Sequence, residues 1–463
     1  MVTKEVVKGD KVLLEVSGVN HSGYGVGRYQ GLAVFIPETL PGDKVIAVIT
    51  TRKKNYAEAK ILGIIQPAAS RLEPRCGHYN VCGGCRLQHA DYEEQLRLKT
   101  TLVRDSLRRI GRLGGVTVKD ILGMENPWHY RNKVHFQIER HNGGYSLGYY
   151  EEGTHVLTDI FNDDRNSGEQ GCLLVDKDLN RLALTIINLL NKYGKDVPGE
   201  RFFRHLMLRK AFFTGETMAV LVTSGGDWPP ERDFARELKR LHPELTSLLR
   251  NIKRDMSGEI LGKEFTLLAG RDAIFDQLQD LTFRISAASF YQVNPLQTQV
   301  LYAKATEYAA LTGKETVLDA YSGIGTIALY MSRQARQVYG VEIVPAAVED
   351  ARFNAELNKI GNAEFFTGKA EKVLPLLKDQ GLQPDVIVLD PPRQGCDRVV
   401  LDAVLAMEVP RLVYVSCAPG TLARDLGYLA EKGYQVKEVQ PVDMFPWTHH
   451  VECVVWLKRK HSE

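Results

Sequence analysis

The chain has 463 residues, and its 59 lysines and arginines nearly balance its 57 aspartates and glutamates, leaving a formal charge of +2. This balance excludes a histone-like polycation, and an apolar fraction of 44% excludes a largely disordered protein. No apolar run reaches the roughly 18 residues of a membrane helix. The seven cysteines, an odd number, do not suit a secreted disulfide framework. We therefore expect a soluble cytoplasmic protein of about three domains, with no membrane contact and no evident obligate protein partner.

The first predicted unit, residues 1–66, contains short strands separated by glycine-rich corners. Apolar side chains alternate with polar ones over residues 11–16, 45–50 and 59–65. Several short strands in so few residues favour a small closed barrel of the OB type. The basic and aromatic side chains of residues 52–56 suit the phosphates and bases of an RNA, although a solvated charged hairpin explains them equally well.

The second predicted unit, residues 67–285, mixes helical and strand patterns. The leucine spacing predicts a helix with a basic outer face over 92–112, and a second helix is predicted over 179–193. Strand-like apolar runs occupy 134–139 and 218–223. We therefore predict a central α+β domain.

Two stretches of this central unit interleave aromatic and basic residues. They are Tyr-Arg-Asn-Lys at 130–133 and Arg-Phe-Phe-Arg-His at 201–205. Such a pattern suits contacts to single-stranded RNA, whose bases stack on aromatic rings. A strand with one solvated face is the alternative explanation.

Three cysteines near the start of the central unit lie within ten residues of one another. Cys76, Cys82 and Cys85 flank a glycine pair, which allows a tight turn, and Cys172 is the obvious candidate for a fourth ligand. Four thiolates suit a structural zinc or an iron–sulfur cluster, and the spacing leaves these two balanced. A turn with free thiols and no metal is the third possibility.

The third predicted unit, residues 286–463, repeats the order strand, glycine turn, helix, strand. This order is typical of a parallel α/β sheet of Rossmann-like form. Gly323 and Gly325 follow the first strand, where they let the backbone approach a ligand closely, and Glu342 ends the next strand, where it suits ribose hydroxyls. The three-glycine pyrophosphate pattern is incomplete, so S-adenosylmethionine fits better than NAD. A tight turn beside an unrelated surface acid is the alternative.

Reactive side chains follow three later strands of the same unit. Asp390-Pro-Pro-Arg393 comes after one apolar strand, Cys417 after the next, and Glu452 opens the last. The prolines hold the aspartate and arginine rigidly, and amides of a following helix stabilise a thiolate at Cys417. We assign no chemistry to Cys396, which we read as a small buried or loop residue.

A thiol beside carboxylates matches the demands of methylating carbon 5 of uracil, which is a poor nucleophile. A thiolate that adds to carbon 6 moves electron density onto carbon 5, and a base must later remove the carbon 5 proton. We expect Cys417 to be the nucleophile and Glu452 the base. Asp390 and Arg393 then orient the pyrimidine and thiol or stabilise developing charge. Methylation of an exocyclic nitrogen needs no cysteine.

These motifs together resemble the RNA uracil-5-methyltransferase family over essentially the whole chain. Their order is Phe290-Tyr-Gln292-Val-Asn-Pro, the glycine turn, Asp390-Pro-Pro-Arg, Ser416-Cys417-Ala-Pro-Gly-Thr and His450-Val-Glu452. The resemblance implies S-adenosylmethionine contacts from Gln292, Tyr321, Glu342 and Asp390. Lys369 departs from the acid that many methyltransferases place against adenine, so that contact is not expected from a carboxylate.

The same resemblance bears on the barrel, the metal and the substrate. The branch of the family with an N-terminal TRAM barrel and a 4Fe-4S cluster on four cysteines acts on 23S ribosomal RNA. The resemblance to this branch therefore implies that the cysteine cluster holds an architectural 4Fe-4S cluster rather than zinc. It also implies that a uridine in 23S rRNA is methylated. Methylation of the tRNA T-loop and a non-catalytic iron–sulfur RNA-binding protein are the rival interpretations; the presence of both Cys417 and Glu452 speaks against the second.

Overall fold

The computed structural model describes residues 6–141, 143–162, 169–255 and 258–460. Within these ranges no helix is both long enough and apolar enough to cross a bilayer. All seven cysteines are free thiols. The described strands form one closed barrel, two sheets and a hairpin.

The N-terminal barrel is closed by five strands in the order β1-β2-β3-β5-β4. Its interior is filled by one face of each strand, because inward and outward side chains alternate: on β1, for example, Val12, Leu14 and Val16 are buried and their neighbours are exposed. The predicted closed barrel is therefore confirmed. The strands are β1 (Lys11–Val19), β2 (Gly25–Tyr29), β3 (Leu32–Ile36), β4 (Lys44–Arg52) and β5 (Tyr56–Gln66).

A seven-stranded sheet follows, in the order β13-β12-β11-β10-β7-β8-β9. Helices α2 (Lys177–Tyr193) and α3 (Glu231–Leu241) cover one face and share an apolar core with it. The opposite face contributes Met207, Met218 and Val220 to the core of the C-terminal unit. The strands are β7 (Lys133–His141), β8 (Gly144–Tyr150), β9 (Leu157–Asp159), β10 (Phe203–Lys210), β11 (Thr217–Thr223), β12 (Leu245–Ile252) and β13 (Glu264–Gly270).

The C-terminal unit contains the hairpin β14 (Ala273–Leu278) and β15 (Leu281–Ser286) and an eight-stranded sheet with helices on both faces. Five neighbouring strands, β18, β17, β16, β19 and β20, run parallel, and β22 is inserted antiparallel beside them. The sheet strands are β16 (Thr316–Asp319), β17 (Gln337–Glu342), β18 (Ala363–Thr367), β19 (Val386–Leu389), β20 (Arg411–Ser416), β21 (Tyr434–Val442) and β22 (Glu452–Arg459). The helices are α4 (Pro295–Ala309), α5 (Thr326–Ser332), α6 (Pro345–Leu357), α7 (Ala370–Asp379), α8 (Arg398–Ala406) and α9 (Pro419–Glu431).

Two elements that precede the seven-stranded sheet in sequence pack on the C-terminal unit. Helix α1 (Tyr92–Arg109) lies against α9, and the short strand β6 (Thr117–Val118) extends the eight-stranded sheet by pairing with β21. A buried ion pair fixes α1 there, because Lys99 Nζ lies 2.6 Å from Asp443 Oδ1. The chain therefore contributes a helix and a strand to the C-terminal unit before it forms the seven-stranded sheet.

Candidate active site

The carboxyl ends of the parallel strands place four of the predicted side chains on one edge of the eight-stranded sheet. β17 ends at Glu342, Asp390 follows β19, and Cys417 follows β20. The antiparallel β22 begins at this edge with Glu452. Ser416 pairs with Cys453, so the next residues along the two strands, Cys417 and Glu452, face each other.

Burial strongly raises the pKa values of two acids at this edge. It raises the pKa of Asp390 to about 7. Glu452 is 5% exposed, and burial followed by the charge of Asp390 raises its pKa to about 8, while Arg393 opposes the rise. Two carboxyl groups with pKa values near neutrality suit proton transfer at physiological pH.

The thiol of Cys417 is held protonated in the free protein. Burial raises its pKa to about 11, the charges of Glu452 and Asp390 add to the rise, and Arg393 opposes it. The predicted stabilisation of a thiolate by amides of the following helix does not prevail here, because desolvation and two adjacent carboxyl groups outweigh it. Arg393 is therefore the cation beside Cys417 that favours its ionised form.

Backbone contacts hold the arginine turn beside the cysteine turn. The Thr421 hydroxyl, in the first turn of α9, donates to the Arg393 carbonyl at 3.0 Å. The Arg393 guanidinium lies 3.3 Å from His450 Nε2. These contacts join the turns after β19 and β20 to the segment that enters β22.

The predicted nucleoside end forms where β16 and β17 finish. Gly323 donates its amide to Glu342 Oε2 at 3.1 Å, and Gly325 caps α5 with a φ of 85°, a left-handed conformation that glycine adopts without strain. Tyr321 is half-buried between these groups and Cys396. Gln292 is buried, and its carbonyl accepts from the Asn132 side chain at 3.2 Å.

Asp319 also lies in this edge, and sequence reasoning missed it. It ends β16, is buried, and accepts from the Tyr321 amide at 3.1 Å. Burial raises its pKa to about 7, and Asp390 and Glu342 add to the rise. An acid directly after the apolar strand residues Val317 and Leu318 was the available signal.

A groove of about 710 Å³ opens beside Cys417. We call it the interdomain groove, because its walls come from the barrel, from α1 and from the turns after β19 and β20. The thiol of the proposed nucleophile thus faces a channel that the barrel helps to form. The lining residues with polar or aromatic side chains include Asn20, His21, Arg28, Phe35, Arg109, Arg393, Cys417, Thr421, His449 and His450.

The four clustered cysteines line a second, smaller cavity of about 70 Å³: Cys76, Cys82, Cys85 and Cys172. Burial, with the charge of Cys172 as a further cause, raises the pKa of Cys76 to about 11 and of Cys82 to about 12. Within the described ranges, no three His, Cys, Asp or Glu side chains are grouped closely enough to hold a single metal ion. The four cysteines named in the sequence analysis therefore line one cavity, and their role as ligands stays a prediction.

The two aromatic and basic stretches of the central unit do not form an aromatic surface. Tyr130, Phe202 and Phe203 are buried, and the Tyr130 hydroxyl donates to the Pro446 carbonyl at 3.1 Å. These rings therefore cannot stack on RNA bases, and the prediction that they contact RNA is wrong. The solvated residue Lys369 lies after β18, 3.7 Å from Glu371.

Comparison with known proteins identifies two matching regions. Residues 251–460 match the tRNA (Uracil-5-)-methyltransferase family, and residues 5–62 match the TRAM domain. A protein of Halalkalibacterium halodurans described as an uncharacterized RNA methyltransferase is 42% identical over 460 residues, covering 98% of both chains. One of Listeria monocytogenes serotype 4b with the same description is 46% identical over 454 residues, 97% of this chain and 98% of the relative.

One solved structure matches across the whole fold. The tRNA (uracil-54, C5)-methyltransferase of Pyrococcus abyssi, in complex with S-adenosyl-L-homocysteine, superposes with a TM-score of 0.73 at 25% identity. The match covers 96% of this chain and 100% of that one.

Proposed function

Because this chain belongs to the family of S-adenosylmethionine-dependent RNA (uracil-5-)-methyltransferases, we propose that it methylates carbon 5 of a uridine in 23S ribosomal RNA. The enzyme class and the N-terminal TRAM barrel agree with the sequence predictions. The observation that supports the residue roles best is the opposition of Cys417 and Glu452 beside the interdomain groove.

In the proposed reaction, Cys417 acts first. Its thiol proton passes to the neighbouring carboxylate of Asp390, and the sulfur bonds to carbon 6 of the uracil, which moves the ring electrons toward carbon 5. Arg393 favours the thiolate electrostatically, because its positive charge lowers the pKa of the Cys417 thiol. S-adenosylmethionine, when bound, supplies an electrophilic methyl group for the activated carbon 5.

Glu452 completes the reaction as the general base. It takes the proton from carbon 5, the carbon 5–carbon 6 double bond forms again, and the bond from carbon 6 to the Cys417 sulfur breaks. A carboxyl with a pKa raised to about 8 is a stronger base than an ordinary glutamate, and it is partly ionised at neutral pH. Asp390, beside it, orients the pyrimidine.

The methyl donor's place is the edge beyond β16 and β17. The donor is a nucleoside without pyrophosphate, so it needs ribose and amino acid contacts rather than a phosphate cradle. Glu342 suits the ribose hydroxyls, and the turn at Gly323 and Gly325 allows close approach of the backbone. Gln292 and Tyr321 complete the set, with Asp390 between the donor and the uracil.

The cysteine cavity suits a 4Fe-4S cluster. Four thiolates are the ligand set of such a cluster. The four thiols line one cavity of about 70 Å³. Together with the family resemblance this supports a 4Fe-4S cluster, with a structural zinc as the alternative.

The identity of the substrate RNA is the most specific part of the proposal. The TRAM barrel together with the cysteine cluster favours 23S rRNA. Methylation of tRNA is the second candidate, because the Pyrococcus abyssi enzyme that matches the whole fold acts on uridine 54 of tRNA.

The test is methyl transfer from labelled S-adenosylmethionine to two unmodified transcripts, 23S rRNA and tRNA, each with an otherwise identical control. We expect label in 23S rRNA, recovered as 5-methyluridine after digestion. Label in tRNA alone would refute the ribosomal assignment. Iron and zinc are measured in protein purified without oxygen, and zinc without iron would refute the cluster.

A further inference from the structure

The segment 443–451 carries the chain from β21 into Glu452, and we call it the base-bearing segment. It is held by contacts along its length rather than by one partner. Lys99 of α1 donates to Asp443 Oδ1 at 2.6 Å and to the Phe445 carbonyl at 3.0 Å. Asn294 donates to the Met444 carbonyl at 3.1 Å. The contacts of this segment therefore add to the pairing of Glu452 with Val442 in fixing where the chain enters β22.

Trp447, the central residue of the segment, is held in an unusual backbone conformation. Its φ is 68°, in the left-handed region that a bulky side chain adopts only when its surroundings impose it. Its side chain is 6% exposed. Its amide is bound by Gln95 Oε1 at 3.0 Å, and its indole N–H donates to the Pro127 carbonyl at 2.9 Å.

Two further partners of the Trp447 backbone come from residues 76–90, which we call the cysteine loop. The amides of Arg86 and Leu87 both donate to the Trp447 carbonyl, at 3.0 and 3.1 Å. These amides directly follow Cys85 in the chain. Cys85 and Cys172 pack against the apolar cluster that contains the Trp447 ring. The ring also stacks on Trp128, with centroids 4.2 Å apart.

We propose that the cysteine loop positions the catalytic base, and that Trp447 is the positioning residue through which it acts. The inference rests on the proposed role of Glu452. Two consecutive loop amides hold the carbonyl of a residue whose strained φ needs external support. The cysteine site then contributes to the reaction without taking part in it, because its integrity keeps residues 86 and 87 in place.

The first test compares two buried tryptophans. Trp228 packs in the core of the seven-stranded sheet and donates its indole N–H to the Tyr193 carbonyl at 3.0 Å, so Trp228→Phe removes the same kind of bond outside the apolar cluster that contains Trp447. We expect Trp447→Phe and Trp447→Ala to lower kcat by about tenfold to a hundredfold with KM for RNA nearly unchanged, because a small misplacement of a catalytic group reduces the rate this much. Trp228→Phe is expected to retain wild-type kcat.

A second variant separates positioning from folding. In the Glu452→Gln background, Trp447→Phe is expected to leave the covalent RNA adduct intact, since Cys417 is unaffected, although it lowers turnover in the wild-type background. Unchanged kcat in Trp447 variants that keep their iron overturns the positioning role. Loss of the adduct as well overturns it too, because the damage then extends beyond the base.

A third measurement needs no activity. Hydrogen exchange is followed over residues 443–452 in the iron-loaded protein and after chelation, with β10 as the internal reference. We expect faster exchange in the base-bearing segment alone after chelation. Equal exchange in both states overturns the link to the cysteine site. A Cys417→Ala variant that still methylates RNA would instead refute the covalent mechanism on which the role of Glu452 rests.

Discussion

Two thiol sites of the described chain, the cysteine cavity and Cys417 at the sheet edge, differ in the carboxylates that surround them. At the cysteine cavity, thiols neighbour one another, and the nearest strong charge is that of Arg131. At the sheet edge, one thiol stands beside Glu452 and Asp390 and opens onto a groove of about 710 Å³. Burial raises the thiol pKa in both places. The comparison teaches that burial alone does not distinguish a ligand from a nucleophile.

What distinguishes them is the available proton acceptor. Thiols that face only thiols lose their protons most readily to a metal centre, which binds the thiolates directly. A thiol that faces carboxyl groups with pKa values of about 7 and 8 has acceptors within its own site. The first arrangement suits ligation and the second suits covalent catalysis.

The largest expected effect is the loss of methyl transfer when the thiol at the sheet edge is removed. Cys417→Ala should lower methyl transfer by a factor on the order of 10⁴ or more while iron content stays at the wild-type level. Cys85→Ser should instead lower iron content. Cys453→Ala is the matched control, because this buried thiol pairs with Ser416 on the neighbouring strand and has no assigned role. Full activity of Cys417→Ala would contradict the covalent mechanism.

The substitution Glu452→Gln tests the proposed acceptor of the carbon 5 proton. We expect turnover to fall by about 10² to 10⁴, because the carbon 5 proton stays in place and the bond to Cys417 cannot break. The protein–RNA adduct should accumulate and survive denaturing electrophoresis. Absence of an adduct, with normal RNA binding, would count against Glu452 as the base.

The same substitution should stabilise the protein at alkaline pH. The folded-state pKa of Glu452 lies at about 8, above its ordinary value, so the protonated form stabilises folding at low pH and that contribution is lost as pH rises through 8. Above pH 8 we expect Glu452→Gln to be more stable by on the order of 4–5 kcal/mol, and near pH 4 about equally stable. Thermal unfolding at both pH values measures this, and a lower Tm of the variant at pH 8.5 would contradict it.

The pH dependence of the rate sharpens the comparison further. The base is active when ionised, so kcat/KM should rise with pH up to about 8. Asp390→Asn removes a negative charge that raises the pKa of Glu452, so the rising limb should move to lower pH even though the maximum rate falls. If the rising limb of the pH profile stays at the same pH in Asp390→Asn, a group other than Glu452 titrates.

The smallest expected effect concerns the wall of the interdomain groove. Arg28 is exposed on β2 and lines the groove. Arg28→Gln should weaken RNA binding by about threefold to tenfold and lower the slope of log affinity against log salt by about one. Lys11→Gln on β1, outside the groove lining, is the control. Equal effects of the two substitutions would place the RNA elsewhere on the barrel.

Much of the fold was predictable because local patterns and tertiary packing agree. The alternation of Val12, Leu14 and Val16 reappears as the buried face of a barrel strand. The helix predicted over 92–112 is observed as Tyr92–Arg109. The aromatic stretches failed because a mixed aromatic and basic pattern carries no information about which face is buried, and Phe202 and Phe203 lie inside.

By itself the sequence determined the enzyme class, because Asp-Pro-Pro-Arg, Ser-Cys and His-Val-Glu each follow or open a strand, and strand ends in a sheet meet at one edge. Only the tertiary structure decided how strongly each group holds its proton, since the desolvation of Glu452 and Asp390 depends on segments far apart in the chain. It alone also placed the cysteine loop against Trp447, hundreds of residues away, because hydrogen bonds between two irregular segments leave no periodic signal in either.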